Sequence, residues 1–135
     1  MADKDPIAVV LDFIERINSG KVDAICAAMT EDHIFVDALG AQFKGRDTMR
    51  KAWGVYVQMI PDYKVSHEEI FAKGDTVAVF GSARGTYAKN GKLSKASFWE
   101  IPAAWKAITR DGLVAYWQVY ADNQPVRKLM GDATP

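Results

Sequence analysis

Cysteine and histidine are scarce in these 135 residues: there is one cysteine, Cys26, and two histidines, His33 and His67. A lone thiol closes no internal disulfide, and two distant histidines without an acid pair at ligand spacing leave no set for zinc or iron. No metal is therefore expected. Cys26 falls on the apolar side of a predicted helix, where a packing thiol is the expected role, because nothing nearby in sequence would activate it. A charge excess is missing too: seventeen basic residues balance seventeen acidic ones. They are scattered rather than clustered, which argues against nucleic acid or an anionic membrane as partner. No apolar run approaches the ~20 residues of a membrane span. The opening MADKDPIA lacks the basic-then-apolar order of a secretory signal. A cytoplasmic domain with a small, weakly charged ligand is the expectation.

What is abundant is apolar and aromatic surface, 49% and 11% of residues. That suits one domain over residues 1–135, large enough to close around an interior cavity. Ile7, Val10, Ile14 and Ile17 recur at helical spacing in PIAVVLDFIERI, with Pro6 in the first turn and Gly20 as a stop. KVDAICAAMT places Val22, Ile25, Cys26 and Met29 on one stripe and predicts a second helix. HIFVDALG then reads as a strand in which Asp37 projects on the side of Phe35. A third helix, capped by Asp47 or Thr48, carries Met49, Ala52, Trp53 and Tyr56 and ends at Pro61. From Tyr63 onward the texture is sheet: YKVSHEEIFA, TVAVFGSARGTY, LSKASFWEI, AAWKAIT and LVAYWQVYAD are strands joined by hairpins, with Asn90-Gly91 the strongest turn signal. Pro102 cannot donate to a ladder and predicts an edge, bulge or corner. The fold class is α+β, three N-terminal helices held within a strongly bent, largely antiparallel sheet.

The order FIERINSGKVDAICAAMTEDHIFVD, then FKGRDTMRKAW, then TRDGLVAYWQVYAD resembles the SnoaL-like and ketosteroid-isomerase-like branch of the nuclear transport factor 2 superfamily, over about residues 7–130. The resemblance implies a conical domain with an apolar pocket, commonly a homodimer through the outer sheet face. It leaves open isomerase, cyclase, hydrolase, dehydratase and non-catalytic binding roles. In the steroid isomerases a proton-abstracting aspartate ends the first strand, and Asp37 falls on it. Carboxylates held in apolar cavities make good bases toward a proton beside a carbonyl. The alternative is that Asp37 accepts hydrogen bonds from the turn that follows it. The isomerases' oxyanion donors correspond to Phe13 and, aligned on Pro102, Ala104, neither of which can donate. The family's epoxide hydrolases need an aspartate where Val119 stands. Both standard activities are thus disfavoured.

Comparison with the isomerases turns Phe80, Ser82 and Arg84 toward the cavity, where Arg84 could hold a carboxylate or enolate oxygen. At the flared strand end it would instead reach water. Asp122 lies near the position of the cyclases' last-strand acid/base, or caps the chain's exit from the sheet. His33 is expected to be exposed at the strand's entrance, and His67 to face either the cavity or a dimer surface. Phe13, Trp53, Tyr56, Trp105 and Trp117 are candidate walls for a planar or cyclic ligand. A bulge at Pro102 would turn Trp105 inward and Lys106 outward. Tyr116, Gln118 and Tyr120 are placed on the outer, dimerising face. Two functions follow: a cofactor-independent isomerase, cyclase or lyase using Asp37 as general base on a cyclic or aromatic carbonyl compound, or a non-catalytic ligand- or partner-binding module.

Overall fold

Local signals in the chain account for where its first helix begins and ends. In the computed structural model, which describes residues 5–88 and 92–131, α1 spans Pro6–Ser19. The Asp5 carboxylate accepts from the Ile7 N–H at 3.2 Å. Gly20, at φ 70°, closes the other end with its N–H on the Ile17 carbonyl, a left-handed stop that glycine adopts without strain. Val9, Val10, Phe13, Ile14 and Ile17 form the buried stripe.

The second helix is shorter than its apolar stripe predicts. α2 covers only Val22–Ala27, and Met29 opens strand β1, Met29–Val36. Met29 pairs with Val114, and the Val114 N–H donates to the Ala28 carbonyl at 2.8 Å. Pairing with the distant last strand therefore overrides local helical preference. A short β2, Gln42–Lys44, leads into α3, Arg46–Met59. Then come β3 (Lys64–Lys73), β4 (Thr76–Thr86), β5 (Phe98–Arg110) and β6 (Leu113–Tyr120). A fourth helix that the periodicity missed, α4 (Gln124–Leu129), follows the last strand. Six residues are too few for a helical period to show. The Asn90-Gly91 turn lies outside the described residues.

The six strands form one sheet in the order β2-β1-β6-β5-β4-β3. β1 and β6 run parallel, and every other neighbour is antiparallel. The helices pack against one face of this curved sheet, with α1 crossing β3 to β6. Asn18 at the end of α1 fixes that crossing: its amide donates to the Val65 carbonyl at 2.9 Å and accepts from the Val65 N–H at 2.7 Å.

Pro102 causes no bulge. β4 and β5 stay in register from Thr76–Ile108 to Thr86–Phe98, with Pro102 opposite Ser82. β6 pairs with β5 only as far as Ala104, so Pro102 sits where β5 has one free flank and its missing donor costs no ladder bond. The irregularities lie elsewhere, at Glu68 in β3, at Ala115 in β6, and in β1 between Met29 and Ile34. Inward residues of β5 therefore alternate without interruption: Trp99, Ile101, Ala103, Trp105, Ala107 and Thr109 are all buried. Trp105 points inward without the bulge that was expected to turn it, and Lys106 lies outside over the Tyr116 ring, 5.5 Å from its centroid.

Candidate functional site

The helices and the concave sheet face enclose a cavity of about 480 Å³, the size range of small-molecule sites. Leu39 and Phe43 of the β1–β2 segment and residues of α4, including Arg127, line it. Leu39 is 70% exposed and Phe43 38%. The walls are aromatic. Trp105 and Trp117 stack at 6.1 Å and 19°. Trp53, Tyr56, Tyr63 and Trp99 form a second group, in which Tyr56 and Tyr63 meet edge-on at 5.1 Å. Gly85 leaves room here chiefly for Ile60, since a β-carbon at that position would stand 2.4 Å from the Ile60 side chain and 3.3 Å from the Trp99 indole.

Asp37 lines this cavity together with Phe35. Its Oδ1 accepts from the backbone N–H of Leu39 at 2.9 Å and of Ala41 at 3.0 Å. Those bonds tie the carboxylate to the turn. Oδ2 accepts no hydrogen bond from any described residue. The turn bonds therefore occupy one oxygen of the side chain and leave the other unpaired.

Trp53, Tyr56, Trp105 and Trp117 line the cavity as well. Phe13 is buried behind the wall, edge-on to Trp117 at 5.0 Å. Phe80 and Arg84 are on the opposite face of β4, which corrects the inward placement expected for them. The apolar Val77, Val79 and Ala83 take the inner face, since burying an arginine there would strip a charge of its water. Arg84 instead donates to the Ser66 hydroxyl at 2.8 Å. Ala104 is also on the outer side, opposite Phe80, and the cavity position beside it belongs to Ala103. Asp122 is exposed and accepts from the Gln124 N–H at 3.0 Å, so it caps the entry to α4 and does not line the cavity.

His33 corrects a second expectation. It is wholly buried, because β1 begins four residues before it and turns it toward Phe13. Its Nδ1 lies 2.7 Å from the Val114 carbonyl, which places the proton on Nδ1. Burial holds its pKa below the ordinary value. His67 is exposed and borders a separate open groove between α1 and β3. Cys26 is buried, and burial raises its thiol pKa. Among the described residues no three potential ligand side chains gather as a metal site would require, and no helix is long and apolar enough to cross a membrane.

Tyr63 is the wall residue that sequence reasoning missed. It lies between α3 and β3, outside any periodic stripe. Asp62 beside it fixes this corner, accepting from the Thr86 N–H and hydroxyl at 2.7 Å each. Burial raises the phenol pKa of Tyr63 well above the ordinary range. Burial does the same to Tyr56, with a smaller contribution from Tyr63 itself.

Residues 10–117 match the family model of the SnoaL-like domain. The chain belongs to this family. Three solved structures share the SnoaL-like fold. A ketosteroid isomerase-like protein from Catenulispora acidiphila, in complex with trimethylamine, is 21% identical, with 94% of this chain and 97% of that one covered at a TM-score of 0.79. A candidate SnoaL-like polyketide cyclase from Jannaschia sp. CCS1 is 17% identical over the whole of both chains, at 0.78. TerC, co-crystallized with polyporic acid, is 16% identical over 93% of this chain and 98% of its own, at 0.75. No curated protein matches the chain significantly.

Proposed function

We propose that the cavity binds a small cyclic or aromatic carbonyl compound and that Asp37 acts on it as general base, in an isomerase, cyclase or lyase that needs no cofactor. One observation carries this reading: Asp37, with one carboxylate oxygen free of protein partners, lines a largely aromatic cavity in which it is the single acid among the described residues. In the step this permits, a C–H bond next to the carbonyl breaks and its proton passes to Asp37. The electron pair moves onto the carbonyl oxygen as an enolate. Asp37 then returns the proton to the same or another carbon, or the enolate carbon attacks a second carbonyl carbon of the substrate, whose π electrons pass to its oxygen, and that oxygen takes the proton from Asp37. The aromatic walls hold the ring so that the C–H faces the base. That one relative holds trimethylamine and another polyporic acid supports a cavity that takes small molecules.

The second reading, a binding module without turnover, is favoured by the turn bonds on Oδ1 and by the absence of a donor at Phe13 and Ala103. Deuterium exchange at C1 of 2-tetralone, an enolisable bicyclic ketone, separates the two. The base reading expects exchange above the buffer rate that falls by ~100-fold or more in Asp37→Asn. The module expects binding with no exchange. We further propose that two chains pair through the outer sheet face, where Phe71, Phe80 and Tyr120 are 58%, 45% and 51% exposed.

A further inference from the structure

The donor positions of the related isomerases are empty of donors here, yet the cavity is not without them. Tyr56 and Tyr63 both line it, and neither hydroxyl hydrogen-bonds a described residue. The indole Nε1 of Trp99, on the same wall, is buried without a partner. Its ring packs beside that of Tyr63, with centroids 6.1 Å apart. Two phenol donors thus stand on neighbouring rings of the cavity wall, their rings edge-on at 5.1 Å, with no protein acceptor for either, while the Trp99 Nε1 is sealed behind them. Buried tyrosine and tryptophan donors ordinarily find a partner, and leaving one unmet costs on the order of 1–3 kcal/mol. A corner of this kind suits an acceptor brought in by the ligand.

We infer that the Tyr56 and Tyr63 hydroxyls form the oxygen-binding corner of the cavity, which receives the carbonyl oxygen of a neutral cyclic ketone or quinone. This deepens the carbonyl reading above and rests on it for the enolate step, though not for binding. Arg127, on α4, is the one cationic side chain among the described residues that line the cavity. Two neutral phenol donors favour a neutral acceptor over a carboxylate, for which charged, bidentate partners are the stronger choice. Burial keeps both phenols protonated, so they remain donors over the whole range in which the fold is studied. When the enolate forms, the same bonds face a growing negative charge and strengthen. Asp62 acts as a positioning residue, because its two bonds to Thr86 set the corner from which Tyr63 projects.

The test uses 2-tetralone and tetralin, which differ by the oxygen, titrated onto the full chain and onto Tyr63→Phe and Tyr56→Phe. Each tyrosine variant keeps its ring and loses one donor. The corner predicts that each weakens 2-tetralone about three- to tenfold and leaves tetralin unchanged. An infrared spectrum of bound 2-tetralone gives an independent readout: its carbonyl band is shifted down by the wild-type protein and moves back toward the solvent-free position in Tyr63→Phe and in Tyr56→Phe. Equal loss of both probes, or a carbonyl band unmoved by any variant, overturns the inference. So does binding of benzyltrimethylammonium in preference to 2-tetralone, which would assign the aromatic group to a cation. Wild-type protein that binds 2-tetralone with the shifted band but does not exchange it removes Asp37 as base and leaves the corner standing.

Discussion

His33 has its imidazole sealed among Phe13 and β6 with one nitrogen on the Val114 carbonyl, and burial holds its pKa below the ordinary 6.5. The unfolded chain therefore takes up this proton first as pH falls. Stability from the neutral ring is complete above about pH 6.5, then declines as pH drops toward the lower folded pKa. The unfolding midpoint in urea should fall more between pH 7 and pH 5 for the wild type than for His33→Gln, which keeps a donor for Val114. Equal slopes would refute a neutral buried His33. At this scale the sequence was a partial guide. Asp37 could be placed because a strand end and a turn are local features. Phe80 and Arg84 could not, since alternation in β4 defines two faces without saying which is inside. The burial of Val77 and Val79 decides that, through contacts with helices far away in the chain.

Among the elements, β3 and β4 meet most closely where β3 carries its extra residue. Gly81 stands so near the bulge that a β-carbon there would lie 1.8 Å from the Ser66 carbonyl oxygen. Backbone on both sides leaves no flexible atom to yield. Gly81→Ala should destabilise the fold by about 1–3 kcal/mol or more, read as a lower midpoint in chemical denaturation. A neutral result would mean the bulge is mobile. Helices α1 and α3 were legible because each carries a long apolar stripe, and the β4–β6 strands because turn residues separate alternating runs. The end of α2 and the straight passage through Pro102 were not. Both depend on what lies alongside: β6 drawing Met29 into the sheet, and the free flank of β5 beyond Ala104. Tyr63 escaped for a related reason, since a connector residue shows no period.

At the level of the whole molecule, the outer face of β3 to β6 presents Phe71, Phe80 and Tyr120 to solvent beside Lys106 and Gln118. The Phe71 and Phe80 rings are 6.3 Å apart. Such a mixed aromatic and polar patch matches the composition of protein interfaces. Sedimentation should give about twice the mass of the 14.9 kDa chain, and Phe80→Glu should restore the single-chain mass. A monomeric wild type would end the pairing proposal without touching the cavity. The cavity itself follows from the fold: the helices cover one face of a curved sheet, and the space between is lined with aromatic rings and a single acid with a free oxygen. Deuterium exchange and affinity for 2-tetralone, measured on the same preparation of Asp37→Asn, test that account most directly. The account predicts exchange reduced to the buffer rate, with affinity within about threefold of the wild type. Exchange undiminished in Asp37→Asn would contradict it.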